Sequence, residues 1–131
     1  MDKKRTILIV EDDSFTSTFL NAKLRHVFDT YIATTTEAAR EILKTKPVDL
    51  ILLDILLPDE NGFIFLEGVK KNEKLKNIPV IVASNFGQAD YVAWARRLGV
   101  VDYLVKANNM PADIAQRIAE VLGVTITDAE N

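Results

Sequence analysis

Five short apolar runs recur along the chain: TILIV at 6–10, TYIAT at 30–34, LILL at 50–53, PVIVA at 79–83 and VDYLV at 101–105. Each is bounded by polar or turn-forming residues, which makes it a candidate strand. Three of them contain the unbroken stretches ILIV, LILL and VIVA. A strand with one face in water alternates apolar and polar residues, whereas a strand covered on both faces has no polar side to present. The expected sheet is therefore parallel, with helices above and below it.

The intervening segments carry a helical period instead. Phe15, Phe19 and Ala22 with Leu20, Leu24 and Val27 make the first, and Ala39, Ile42 and Leu43 mark the second, behind a Thr34-x-x-Glu37 pattern that reads as a capping box. The third follows Gly62 with Phe63, Leu66 and Val69, and the fourth runs from near Gln88 to Leu98 and stops at Gly99. The fifth opens at Pro111, presents Ile114, Ile118, Val121 and Leu122 on one face, and has Gly123 just past its end. Strict alternation of five strands and five helices predicts an α/β fold of (βα)5 type, doubly wound in three layers with right-handed crossovers. In such folds ligands bind beyond the carboxyl ends of the strands, where the strand order reverses.

At 131 residues, with 48% hydrophobic and 27% charged residues, the chain has the size and composition of one soluble globular domain. It has no cysteine, so disulfides and thiolate metal sites are excluded. No apolar run reaches the ~20 residues of a bilayer-spanning helix, and the start MDKKRTILIVEDD meets acids too early for a signal peptide. The expectation is a cytoplasmic protein with no membrane contact. Sixteen Lys and Arg against 19 Asp and Glu give a net charge of −3, which offers nucleic acid no basic surface.

The predicted strand ends deliver a particular set of side chains to one rim: Glu11, Asp12 and Asp13 after the first, Asp54 after the third, Ser84 and Asn85 after the fourth, and Lys106 after the fifth. Singly, most have ordinary readings. Asp12 or Asp13 serves as a helix N-cap, Ser84 as a turn residue and Lys106 as a solvated surface charge. Asp54 is different, because it lies in DLILLDILLPDENG between Leu53 and Ile55, and a buried ionised carboxylate needs a partner. Three carboxylates held together repel one another unless a hard cation shares them, and an all-oxygen site of this kind suits Mg2+. Mg2+ and Lys106 together would keep Asp54 ionised. The lone His26 lies on the first predicted helix and reads as a surface or half-buried residue, not as a phosphotransfer group. Tyr91 and Trp94 read equally as core or partner contacts, and Ile64, Phe65 and Val69 as packing.

Taken in order, these residues resemble the receiver domain of two-component response regulators, of the chemotaxis-type single-domain kind. The resemblance rests on Glu11 and Asp12 after the first strand, on Asp54 with Pro58 and Gly62 in a D-x-x-x-P-x-x-x-G turn, on Ser84, on Tyr103 within the fifth strand, and on Lys106. It covers residues 5 to 122, and it implies a flavodoxin-like strand order 2-1-3-4-5 with a receiver domain at 1–122 and a short tail at 123–131. It further implies that Asp54 accepts a phosphoryl group from a histidine kinase or histidine phosphotransfer protein. Glu11, Asp12, Asp54 and the Leu56 backbone carbonyl would hold Mg2+, and Lys106 and Ser84 would bind phosphoryl oxygens. Ser84 and Tyr103 would form a switch that resets the surface of the fourth helix, fifth strand and fifth helix toward an output partner. The protein would be a signalling module and not an enzyme acting on a separate substrate. With nine residues after Leu122, no effector domain is expected in this chain.

Two positions depart from the family pattern. Ala107 follows Lys106 where a proline in a cis peptide is usual, so the loop from 107 to 110 takes either a trans path or a non-proline cis bond costing about 2.5–4 kcal/mol. Leu57 replaces the commoner methionine, a change that conserves volume. Other classes fit less well. An FMN-binding flavodoxin-like domain needs a phosphate loop after the first strand, where EDDSF would repel a phosphate. A haloacid-dehalogenase phosphatase needs a second acid two residues past the nucleophile, where Leu56 stands. A pseudo-receiver scaffold would lack the acids or the lysine, and all are present.

Overall fold

The computed structural model describes residues 4–126. Five strands, β1 (Thr6–Val10), β2 (Asp29–Ala33), β3 (Leu50–Leu53), β4 (Val80–Ser84) and β5 (Asp102–Val105), alternate with five helices. The helices are α1 (Ser14–Leu24), α2 (Thr36–Thr45), α3 (Gly62–Lys71), α4 (Ala89–Arg97) and α5 (Pro111–Leu122). The strands form one sheet in the order β2-β1-β3-β4-β5, and every pairing is parallel. Of the expected tail, residues 127–131 lie outside the described residues.

The unbroken apolar strands are explained by burial on both faces. Successive side chains of a strand point to opposite sides. Ile7, Ile9, Leu50, Leu52, Ile81 and Ala83 pack with Leu20 and Leu24 of α1 and Ile114, Ala115, Ile118 and Ala119 of α5. Leu8, Val10, Ile51, Leu53, Val80 and Val82 pack on the other side with Ala39 and Leu43 of α2, Phe63, Phe65, Leu66 and Val69 of α3 and Ala95 of α4.

Several local expectations shift. α1 buries Ser17, Leu20 and Leu24, while Phe15 and Phe19 are 68% and 46% exposed. The phenylalanines stand on the outer side of α1 and pack on each other at 4.7 Å. His26 lies in the turn after α1, exposed. The cap of α2 is Thr35, whose side chain accepts the Ala38 N–H at 3.1 Å, so the Thr34–Glu37 capping box does not form. Phe65 and Val69 are buried as expected, but Ile64 is 55% exposed. Leu57 is buried, and no peptide bond among the described residues is cis, so the chain leaves Lys106 for Ala107 by a trans path. It does so through a 3-10 turn at Lys106–Asn108, tied down where the Asn109 side-chain amide donates to the Val105 carbonyl at 2.9 Å.

The tightest close approach of backbone lies under the site rim. A Cβ on Gly62 would sit 2.7 Å from the Asp54 carbonyl oxygen and 2.7 Å from Ile55 Cα, atoms that cannot swing aside. Gly62→Ala should lower stability by about 1–3 kcal/mol. Gly68, in the middle of α3, has no neighbouring atom within 4 Å of the position a Cβ would take. It should behave oppositely, and Gly68→Ala should gain about 0.5–1 kcal/mol of helix stability. Urea unfolding of the two variants measures both signs.

Candidate functional site

The parallel register builds the site. Val10 pairs with Leu53, and the Asp54 N–H donates to the Val10 carbonyl at 2.9 Å, so the next residues of the two strands, Glu11 and Asp54, leave the sheet side by side. This is the point between β1 and β3 where the strand order reverses, the usual ligand position in a doubly wound sheet. Glu11 and Asp54 are 4% and 8% exposed, while Asp12 is exposed. Carboxylate oxygens of Glu11, Asp12 and Asp54 all lie within 4.8 Å of one another.

Lys106 supplies the compensating charge. Its ammonium donates to Asp54 Oδ2 at 2.9 Å and also to Glu11 Oε1, so one cation bridges both buried acids. Burial pushes the Glu11 carboxyl up to about 7; the Lys106 hydrogen bond opposes the rise and neighbouring Asp54 adds to it. Burial on its own would lower the Lys106 pKa, but its bonds to Glu11 and Asp54 raise it. The other Asp54 oxygen, Oδ1, accepts the Leu56 N–H at 3.2 Å.

Asp13 is the α1 cap, accepting from Phe15 N–H at 3.1 Å and from the Thr16 hydroxyl at 2.6 Å. Ser84, 1% exposed at the end of β4, accepts the Phe86 N–H at 3.1 Å. Tyr103 is turned inward, 7% exposed, with its hydroxyl donating to the Phe86 carbonyl. Ser84 and Tyr103 therefore hold the same residue of the β4–α4 loop from two sides. Beyond it, Trp94 and Tyr91 both stack on Phe63, at 4.3 Å and 5.8 Å between centroids; Tyr91 packs against the core, whereas Trp94 keeps 37% of its surface exposed.

The structure thus gathers Glu11, Asp12, Asp54 and Lys106 into one cluster, with Leu56 on the loop beside it and Ser84 and Tyr103 behind the neighbouring loop. One contact that the sequence pattern does not announce joins Asp59 to α2. Its carboxylate accepts from Thr36 N–H at 3.0 Å, Thr36 Oγ1 at 2.9 Å and Glu37 N–H at 3.2 Å. No local motif could reveal it, because the partners are 23 residues apart in the chain.

Residues 7–119 match the family model described as the response regulator receiver domain. The chain belongs to that family. Receivers of this family are signalling modules of two-component systems, and the acid cluster is typical of their phosphorylation site. The chain is 33% identical over 106 residues to a probable cyclic di-GMP phosphodiesterase of Vibrio cholerae, covering 81% of this chain and 24% of that protein. It is 29% identical over 119 residues to the phosphate regulon transcriptional regulatory protein PhoB of Pseudomonas aeruginosa, covering 90% of this chain and 52% of that one. The chain therefore spans about a quarter to a half of these curated relatives. Among solved structures, the Mn2+-bound response regulator Rcp1 superposes with a TM-score of 0.81 at 30% identity, over 94% of this chain and 99% of its own. The phosphorylated cyanobacterial phytochrome response regulator RcpA gives 0.83 at 25% identity, over 96% and 100%.

The raised Glu11 carboxyl fixes the sign of a pH effect in this receiver. A carboxyl that holds its proton more tightly when folded stabilises the fold below its unfolded pKa, near 4.5, and that contribution is lost as pH rises through about 7. Lys106 is also raised, but it titrates far above this window. In EDTA, thermal unfolding followed from pH 5 to pH 8 should lose on the order of 2 kcal/mol from this group, and Glu11→Gln should flatten the slope.

Proposed function

We propose that this receiver takes a phosphoryl group from the phosphohistidine of a histidine kinase or histidine phosphotransfer protein onto Asp54, using Mg2+, and that the modification resets the surface of α4, β5 and α5 for an output partner. The observation that carries the reading is the Lys106 ammonium set between Glu11 and Asp54, with Asp12 in the same cluster. In this reading the unit is residues 1–122 with the tail 123–131 appended, in a cytoplasmic protein. The states of the two structural neighbours, Mn2+-bound and phosphorylated, support it by likeness of site and fold.

The donor set fits the metal. Three carboxylates against one ammonium leave surplus negative charge on oxygen ligands alone, which suits a hard divalent cation. Glu11, Asp12, Asp54 and the Leu56 carbonyl would hold it, and Mg2+ bound there supplies positive charge to the oxygens of the incoming phosphoryl group. An Asp54 carboxylate oxygen attacks the phosphorus, the phosphorus–nitrogen bond of the donor breaks, and its electron pair stays on the imidazole nitrogen. The transition state is loose and its charge lies on the peripheral oxygens, so positioning and neutralisation do most of the catalysis.

Lys106, already 2.9 Å from Asp54, then pairs with a phosphoryl oxygen in place of the carboxylate oxygen. Ser84 accepts the Phe86 N–H, which leaves its own proton to donate to a second phosphoryl oxygen. That bond exists only in the phosphorylated state, so it draws on the loop that Tyr103 also holds through the Phe86 carbonyl. The added charge of about −1.5 to −2 thereby acquires different contacts in two arrangements of β4, α4 and β5.

Incubation with acetyl phosphate or phosphoramidate and Mg2+ should add the mass of one phosphoryl group, and Asp54→Asn should add none. Unchanged labelling of Asp54→Asn would refute the assignment.

The lifetime of the product follows from the residues beside the line of attack. Leu56 is 64% exposed at the mouth of the site, and Phe86 is half-buried with its ring 5.6 Å from Tyr91. Neither side chain can hold a water by hydrogen bonds, and in the proposed reading both stand beside the approach of the attacking water and keep it out. The phosphorylated protein should therefore decay slowly, and Leu56→Asn combined with Phe86→Glu should speed decay by about tenfold. Timed loss of the mass shift in both proteins measures it.

A further inference from the structure

The loop between β3 and α3 is fastened at its base and again at its tip. At the base, Gly62 N–H donates to the Ile55 carbonyl at 2.7 Å, Leu56 and Asn61 face each other in an antiparallel bridge, and Leu56 N–H is bound to Asp54 Oδ1. At the tip, Asp59 spends both carboxylate oxygens on α2, taking three hydrogen bonds from Thr36 and Glu37. Thr36 is fully buried, and its hydroxyl in turn accepts from Arg40 at 3.2 Å. Arg40 pairs with Glu60, the next residue of the same loop, and lies 5.4 Å over the Phe65 ring.

A carboxylate at a helix N-terminus satisfies backbone N–H groups that no helical carbonyl can reach and meets the positive end of the helix dipole. α2 already has its own cap in Thr35. Asp59 adds a second one from a distant loop, and the object it holds in place is the loop itself. Only Leu57 and Pro58 separate Asp59 from Leu56, whose N–H donates to the Asp54 carboxylate.

We propose that Asp59 is a positioning residue of the phosphorylation site, holding Leu56 and Asp54 in register for metal and phosphoryl group by clamping the β3–α3 loop to the N-terminus of α2. This rests on the functional reading above. Coupling of this kind is reciprocal: if the clamp tightens Mg2+ binding by some factor, Mg2+ must tighten the clamp by the same factor. The consequence is measurable without any phosphoryl transfer.

The test compares wild type, Asp59→Ala, Asp59→Asn, Thr36→Val and a control, Asp49→Asn. The control removes charge at the amino ends of the central strands, opposite the site, where Asp49 accepts the Thr6 N–H at 2.7 Å. Calorimetric titration with Mg2+ should show Asp59→Ala weakened about fivefold or more, Asp59→Asn and Thr36→Val weakened less, and Asp49→Asn within about twofold of wild type even if its melting temperature falls. Mg2+ should also slow hydrogen exchange of the Thr36 and Glu37 amides in wild type but not in Asp59→Asn. Should Asp59→Ala fail to fold, Asp59→Asn and Thr36→Val carry the comparison. Wild-type Mg2+ affinity in the clamp variants, or exchange at Thr36 and Glu37 indifferent to Mg2+, overturns the proposal. Absence of Mg2+ binding and of phosphorylation in wild type itself would instead overturn the reading on which it rests.

Discussion

The structure turns on one ammonium group placed between two buried carboxylates. Glu11 and Asp54 leave adjacent strands at the same level and are almost wholly removed from water, so each needs a counter-charge that the apolar sheet does not provide. β5 lies two strands from β3, and strands are ~4.8 Å apart, so only a long side chain spans the gap. Lysine does so, and its single charge leaves the three acids still in surplus. That imbalance gives the site the charge that a hard divalent cation takes, and the fold produces it because parallel strands end together at one rim.

The central sheet and the acid cluster were legible in the sequence for the same reason. Runs such as ILIV and LILL have no polar side, which leaves only two-sided burial, and parallel strands bring their carboxyl ends to one rim. Asp54 stood out because its neighbours are leucine and isoleucine. Helix faces were less legible where two apolar stripes compete. On α1, Phe15 and Phe19 have the right spacing but lie outward, and Leu20 and Leu24 take the core. Periodicity registers a stripe without saying which one meets the sheet. The α2 cap moved by one residue because Thr34, Thr35 and Thr36 are chemically equivalent, and only backbone geometry selects Thr35. The Asp59 clamp was invisible, since its partners meet only after β3 has paired with β1.

The two loops beside Asp54 are held by opposite means. The β3–α3 loop is fixed by charge and hydrogen bonds to α2, through Asp59, Glu60 and Arg40. The β4–α4 loop is held chiefly at one backbone residue, Phe86, by the hydroxyls of Ser84 and Tyr103. One side of the site is tied by several charged groups, and the other by two hydroxyls at a single residue.

α4 is the helix with the fewest buried side chains. Its N-cap residue, Gln88, makes no side-chain cap bond, and Ala95 is its one fully buried side chain, where α3 buries Phe63, Phe65, Leu66 and Val69. Its remaining hold on the core is the stack of Tyr91 and Trp94 on Phe63 and the partial burial of Val92 and Leu98. Stability is not spread evenly through a domain, and a segment with few buried contacts and no cap opens at a fraction of the global cost. If α4 repacks as proposed, the sheet and its remaining helices would keep their full native stability. In the proposed reading, a phosphoryl group on Asp54 would have to outweigh only the local stability of this one helix.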